Sequence, residues 1–247
     1  MTGQRLEQTF EEGPDPEAES PAPAQCRQGR MIRHPDATRA IILDAAIQEF
    51  AAKGFAGARV DAIALRSKTN KRMLYHFFGD KEGLYVAVLE VIFSNVTAAG
   101  KSLHLSRRQP LDGIRELALH TWTYFLTHPE FVSLLATENI LRAEYSSRSK
   151  TIPSTHGPLL AEIEKLLQRG IEQGVFRADV NPVTVYMTIA GLSFFYINNR
   201  YTLALNLNPD VWQPTAIDAW GEHIVTVTLA FLAPATIPAP DCSSSHC

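Results

Sequence analysis

Residues 71–84 read KRMLYHFFGDKEGL. Leu74 and Phe78 stand four apart, so on a helix they share one face and can anchor it to a core. Lys71, Arg72, Met73, Tyr75 and His76 then fall on or near the outer face. The stretch Gly79-Asp80-Lys81-Glu82 ends that helix and starts another, with Asp80 a natural N-cap. Upstream, Val60, Ile63 and Ala64 recur at i, i+3, i+4, the inward stripe of a preceding short helix. Ser67-Lys68-Thr69-Asn70 lies between as a turn. Thr69 and Asn70 are both able to cap the second helix, and Asn70 is preferred because its side chain can accept an N–H of the next turn. Two short helices, a tight turn and a basic, aromatic second helix make the layout of a helix-turn-helix reader of double-stranded DNA.

The residue types suit that chemistry. Lys and Arg match phosphates and guanine edges, Tyr and His match phosphates, and Met offers apolar contact to a thymine methyl. The candidate DNA contacts are Arg59, Lys68, Thr69, Asn70, Lys71, Arg72, Met73, Tyr75, His76 and Lys81. Taken alone, a basic pair before Leu-Tyr would be the solvated face of an ordinary helical hairpin. The charge distribution argues otherwise. Residues 1–25 carry a local −5, residues 26–85 a local +5 and residues 86–247 a local −3, within a formal net charge of −3. The positive block coincides with the reader, as phosphate binding requires.

The same region resembles the TetR family of bacterial repressors. The resemblance rests on Thr38-Arg39, Ile42, Ala45-Ala46, Phe50, Gly54-Phe55, Val60, Ile63-Ala64, Leu74-Tyr75, Phe78-Gly79, Lys81-Glu82 and Leu84. It implies that residues 69–76 enter the major groove and that Tyr75 and Lys81 grip phosphates. The chain departs from the family pattern where Lys68 replaces a common turn glycine, Ala58 a common capping Thr, and Phe77 a frequent His. Lys68 strains the turn, since a non-glycine residue at positive φ is uncommon, and adds a charge beside the groove.

Along the 247 residues, 1–34 and 234–247 are expected to be disordered tails, the first acidic and Pro-rich. Arg27, Arg30 and Arg33 make a sparse basic arm before the first helix. The reader is expected over 35–82, with its motif at about 59–78, and a ligand-binding and dimerisation region over 83–233. Expected helices cover 36–53 (ended by Gly54), the two of the motif, and 80–103, 111–127, 129–144, 157–173, 182–204 and 214–233. Pro129 and Asn181-Pro182 read as helix starts, and 145–156 as a loop. The fold class is therefore all-α, a three-helix reader followed by a helical bundle.

Residues 182–204 are apolar on most faces, and such a helix must be buried. It is either the central helix of a monomer or a contact for a second copy. The family resemblance implies the latter, a homodimer through 182–204 and 214–233. A two-fold dimer sets two recognition helices about 34–36 Å apart and demands a palindromic operator.

The family resemblance also implies a small-molecule effector. Candidate pocket residues are Trp122, Phe125, Leu135, Glu138, Asn139, Arg142, Tyr186, Phe194 and Asn198, since aromatic walls with a few polar groups suit a small ligand. Leu135, Glu138, Asn139 and Arg142 share a helical spacing, although Glu138 and Arg142 could equally form a surface ion pair. His120 reads as a satisfied, partly buried histidine. A second resemblance rests on Glu138-Asn139, residues 170–177 (GIEQGVFR) and residues 198–202 (NNRYT). It points to a branch that represses nitrogen-heterocycle and pyrimidine catabolism, and implies an aromatic or heteroaromatic effector.

No HExxH, GxSxG, Walker or dinucleotide glycine motif occurs, so an enzyme is not expected. The three cysteines, Cys26, Cys242 and Cys247, lie in the tails and give no disulfide framework, and no metal or other cofactor is expected. The apolar run 224–235 is too short to span a bilayer, and the acidic N-terminus is no signal peptide. The reading is a cytoplasmic, ligand-responsive repressor of a catabolic or efflux operon. The alternative is an activator or a ligand-independent DNA-binding protein.

Overall fold

The structure, a computed structural model, describes residues 35–234. The expected tails 1–34 and 234–247 (apart from Pro234), the arginines of the basic arm and all three cysteines lie outside the described residues.

The helices follow local chemistry. Helix α1 (Pro35–Gly57) carries Ile42, Ala45, Ala46 and Phe50 on its buried stripe and is broken at Gly54, whose φ of 65° and ψ of 176° leave the helical region. That is the glycine expected to end the first helix, and glycine alone adopts such a backbone without strain. Helices α2 (Val60–Arg66) and α3 (Lys71–Phe78) form the expected motif. Helix α4 (Lys81–Lys101) starts on Asp80, whose carboxylate accepts the Gly83 N–H at 2.7 Å.

Helices α5 (Pro110–Thr127) and α6 (Pro129–Ile140) both begin with proline, which has no N–H to leave unsatisfied there. Helix α6 was expected to reach residue 144. It stops at Ile140 because Arg142 and Ala143 take left-handed φ values of 56° and 59°. Two short 3₁₀ turns, Ser146–Arg148 and Ile152–Ser154, occupy the expected loop. Helix α7 (Gly157–Glu172) matches its expected span.

The expected single helix over 182–204 is two: α8 (Pro182–Asn198) and α9 (Arg200–Asn206), separated at Asn199 with φ −98° and ψ 12°. The Asn181 side chain caps α8 by accepting the Val183 N–H at 2.8 Å. A 3₁₀ turn (Pro209–Trp212) leads into α10 (Pro214–Leu232). Among the described residues there is no strand, and the all-α class holds.

Two packing relationships position the functional region. Helix α1 lies against α2, α4 and α6, so the reader shares a core with the bundle. In that core Phe50 and Tyr85 pack edge to face with ring centroids 4.8 Å apart, and Phe55 meets Tyr145 at 4.3 Å. Phe50 and Tyr85 are fully buried, and burying a large side chain contributes about 1.5–3 kcal/mol. Helix α5 packs between α8 and α10, where Trp122 lies edge-on to Tyr196 at 5.4 Å. Helix α4 is long and apolar enough to cross a membrane by composition, yet Leu84, Tyr85, Val88, Leu89, Ile92 and Phe93 on it are core residues.

Candidate nucleic-acid interface

The geometry of α3 is set by its two ends. At the start, Asn70 takes an extended backbone (φ −112°, ψ 158°) and its side-chain oxygen accepts the Met73 N–H at 2.9 Å. Asn70 is thus the cap, and its oxygen is committed to the helix. Thr69, the other capping candidate, instead shares a hydroxyl–hydroxyl hydrogen bond of 2.7 Å with Ser67, a buried turn residue. Lys68 sits at φ 52° and makes the left-handed step without a glycine. Its side chain is exposed. At the far end, Gly79 (φ 79°) closes α3 with its N–H bonded to the Tyr75 carbonyl.

One determinant of this unit carried no local sequence signal. Glu49 on α1 is buried, accepts Lys53 Nζ at 2.8 Å, and accepts the Arg59 backbone N–H at 3.3 Å. Arg59 is the N-cap of α2 and offers no capping side chain. Glu49 thus ties α1 to the first residue of the motif, while no side chain caps α2 itself. Ala58 is a buried core residue.

The outer face presents the expected residues together. Lys71, Arg72, Tyr75 and His76 are exposed along one side of α3, while Leu74 is buried and Met73 and Phe78 are half-buried. Lys71 Nζ lies 2.5 Å from Asp61 on α2, both well exposed, so the pair brackets the two helices. Such a surface pair contributes about 0–1 kcal/mol and can open toward a phosphate. Arg59 is exposed beside it. Lys81 lies over the Phe55 ring, 4.9 Å from its centroid, with Nζ 3.4 Å from the Ala56 carbonyl. That side chain is held at the N-terminus of α4, where a phosphate would also meet free backbone N–H groups.

Of the pocket residues expected from the sequence, Phe125 and Tyr186 come together and most of the others do not. Asn139 and Arg142 are exposed, and the Asn139 amide donates to the Leu135 carbonyl of its own helix. Arg142 leaves the expected face because α6 ends at Ile140, while Asn139 stays helical with its side chain exposed. Glu138 is buried, but one carboxylate oxygen accepts the Ser146 N–H at 2.8 Å and the other has no hydrogen-bond partner. Leu135 and Phe194 are half-buried against the core, Asn198 is exposed, and Trp122 packs on α10 at Gly221. Phe125 and Tyr186 share a wall of a small enclosed cavity with His120, Thr121 and Leu159. His120, set aside in the sequence, has a buried Nε2 with no hydrogen-bond partner. Burial also holds its imidazole below the ordinary pKa, against the pull of Glu116.

Comparison with known proteins places this architecture. Residues 42–88 match the family described as "Bacterial regulatory proteins, tetR family", and residues 110–227 match "Tetracyclin repressor-like, C-terminal domain". The chain is 35% identical over 203 residues to the HTH-type transcriptional repressor NicS of Pseudomonas putida, covering 82% of this chain and 96% of that one. It is 37% identical over 110 residues to the HTH-type transcriptional repressor SCO4008 of Streptomyces coelicolor, 44% of this chain and 53% of that one. In structure it resembles the ketosteroid transcriptional regulator KstR2 of Mycobacterium tuberculosis, with a TM-score of 0.57 at 21% identity over 79% of this chain and 94% of that one. At that identity the likeness shows the fold alone. The chain is thus a DNA-binding regulator rather than an enzyme, and it belongs to the TetR family of bacterial transcriptional repressors.

Proposed function

We propose that this repressor binds a palindromic operator as a homodimer and leaves it when a small molecule enters the helical bundle, controlling a catabolic or efflux operon in the cytoplasm. On this reading residues 35–82 are the reader and residues 83–233 bind the effector and the second copy. Lys71, Arg72, Tyr75 and His76 face the major groove, with Lys68 and Lys81 at its phosphates.

The observation that carries the dimer is a stripe on α8. Val183 is 44% exposed, Met187 65% and Phe195 56%, and with Gly191 they recur every four residues. A Cβ on Gly191 would meet nothing within 4 Å, so the stripe stays open and low there. An apolar stripe of this size on a soluble protein marks a contact surface. Beside it runs a groove of about 930 Å³ between α8, α9 and α10, walled by Phe195, Tyr196, Leu203, Leu207 and Trp220. A second copy laid antiparallel along α8 and α10 would cover both.

Light scattering on the full chain with Met187→Asp, and separately Phe195→Asp, tests this. The wild type should be a dimer and each variant a monomer with an unchanged helical spectrum. Losing simultaneous engagement of two half-sites should lower operator affinity about 10²-fold. A monomeric wild type, or variants that remain dimeric, would overturn the reading.

A further inference from the structure

We propose that the cleft between α4 and α5, which ends on His120, is the effector site, and that it takes a small, flat, uncharged ring compound with one hydrogen-bonding edge. This rests on the ligand-released reading above and names the site and ligand class for it.

The cleft has an outer and an inner part. The outer part is about 470 Å³, open to solvent, and lined by Asn95, Ala98, Ala99, Thr123 and Tyr124. That volume lies within the range of small-molecule pockets and exceeds what one ring needs. The inner part is enclosed, about 20 Å³, and walled by Val96, Leu117, Phe125, Leu159 and Tyr186. His120 and Tyr124 line both parts and join them. The inner space is water-sized, so it fits the polar edge of a ligand whose ring rests in the outer part.

The chemistry of the walls selects the ligand. The buried Nε2 of His120 has no partner, and a buried polar atom without one costs about 1–3 kcal/mol. A ligand that hydrogen-bonds it recovers that cost. Neither part is lined by Lys, Arg, Asp or Glu, so a charged ligand would be desolvated with no ion to pair with. Three further polar groups of the walls are already engaged. Tyr186 Oη lies 3.1 Å from His156 Nε2, and the Thr121 hydroxyl donates to the Leu117 carbonyl at 2.8 Å. His128 Nδ1 is occupied by the Tyr124 carbonyl at 2.9 Å. One hydrogen bond, apolar walls and aromatic neighbours describe a phenol-, lactam- or amide-bearing ring.

The test uses the full chain with nitrogen-15-labelled histidine. Phenol, 2-pyridone and benzamide are titrated against the charged probes benzoate and benzylamine while the His120 imidazole shifts are followed. Two variants accompany it: His120→Leu removes the hydrogen bond, and Ala98→Trp blocks the mouth from an exposed position outside the core. At least one uncharged probe should shift His120 saturably and bind about tenfold or more tighter than the charged ones, the scale of one buried hydrogen bond. Calorimetry on the same samples should show that binding weakened about tenfold in His120→Leu, which has no His120 signal of its own, and abolished in Ala98→Trp. No saturable shift with any uncharged probe, equal binding of the charged probes, or binding indifferent to both variants would overturn the site. Operator release is read on the same samples. Release without any His120 shift sinks the site and leaves the ligand-released reading standing. A saturable His120 shift without release keeps the site and sinks that reading.

Discussion

Arg148 Nη1 lies 2.5 Å from Glu82 Oε2, and this pair ties the segment after α6 to the first turn of α4. Glu82 follows Lys81, the residue proposed to meet the DNA backbone. The tie belongs to a series. Ser149 Oγ donates to Glu90 at 2.7 Å, Thr97 Oγ1 donates to the Thr155 carbonyl at 3.2 Å, and His156 reaches Tyr186 at the inner cavity. Residues 145–156 thus form a strap along α4, running from the reader's edge to the bundle interior.

Arg148→Ala tests whether the strap couples the proposed effector site to the reader. The pair is half exposed, and exposed ion pairs add little to stability. Arg148→Ala should leave the melting temperature almost unchanged. It should weaken operator binding several-fold and blunt the response to effector, because only contacts that differ between two states shift an equilibrium. Operator binding by fluorescence anisotropy, beside a thermal melt, checks both halves. A large loss of Tm with intact operator affinity would assign Arg148 to stability instead.

Gly83 holds the reader close to α4. A Cβ there would press into the Phe78 carbonyl oxygen, a backbone atom that cannot swing aside. Gly83→Ala should therefore force α3 and α4 apart and destabilise the chain by about 1–3 kcal/mol. Operator affinity should fall with it, because the recognition helix shifts. Denaturant unfolding of the variant gives the first number and an operator titration the second. A neutral outcome in both would show that the contact relaxes freely.

Burial lowers the pKa of both His120 and His156 from the ordinary imidazole value. The folded chain then binds fewer protons than the unfolded chain between the lowered and ordinary values. Stability is fully present above about pH 6.5 and falls as the pH drops below it. His120→Leu removes one of the two groups, so its Tm should decline less steeply than the wild type's between about pH 7 and pH 5.5. Equal slopes in the two proteins would mean that His120 titrates as in the unfolded chain.

What was legible in the sequence was what is local. Asn70, Asp80 and Asn181 announce helix starts because a cap acts within three residues, and each caps as expected. Gly54 announced a break for the same reason. The division at Asn199 was hidden, because the apolar residues of α9 continue those of α8 without a proline or glycine between them. Glu49 was hidden too, since the amide it holds lies ten residues away and across a turn. Periodicity extends the face around Glu138 to Arg142 by assuming a helix to 144, whereas Arg142 and Ala143 leave the helix in a left-handed turn. His120 looked satisfied in the sequence. Only the packing of α4 and α5 around it shows that its Nε2 is not.

The central claim is that α3 reads DNA sequence through the exposed row Lys71, Arg72, Tyr75 and His76. Selection of bound sequences from random duplex DNA, with purified wild type and Arg72→Ala at one stated salt concentration, tests it most directly. The account predicts a palindrome with half-site centres about one helical turn apart. It also predicts that Arg72→Ala binds about 1–3 kcal/mol more weakly and loses preference at one position of each half-site. Enrichment of no sequence by the wild type, or the same palindrome selected with equal stringency by the variant, would contradict it.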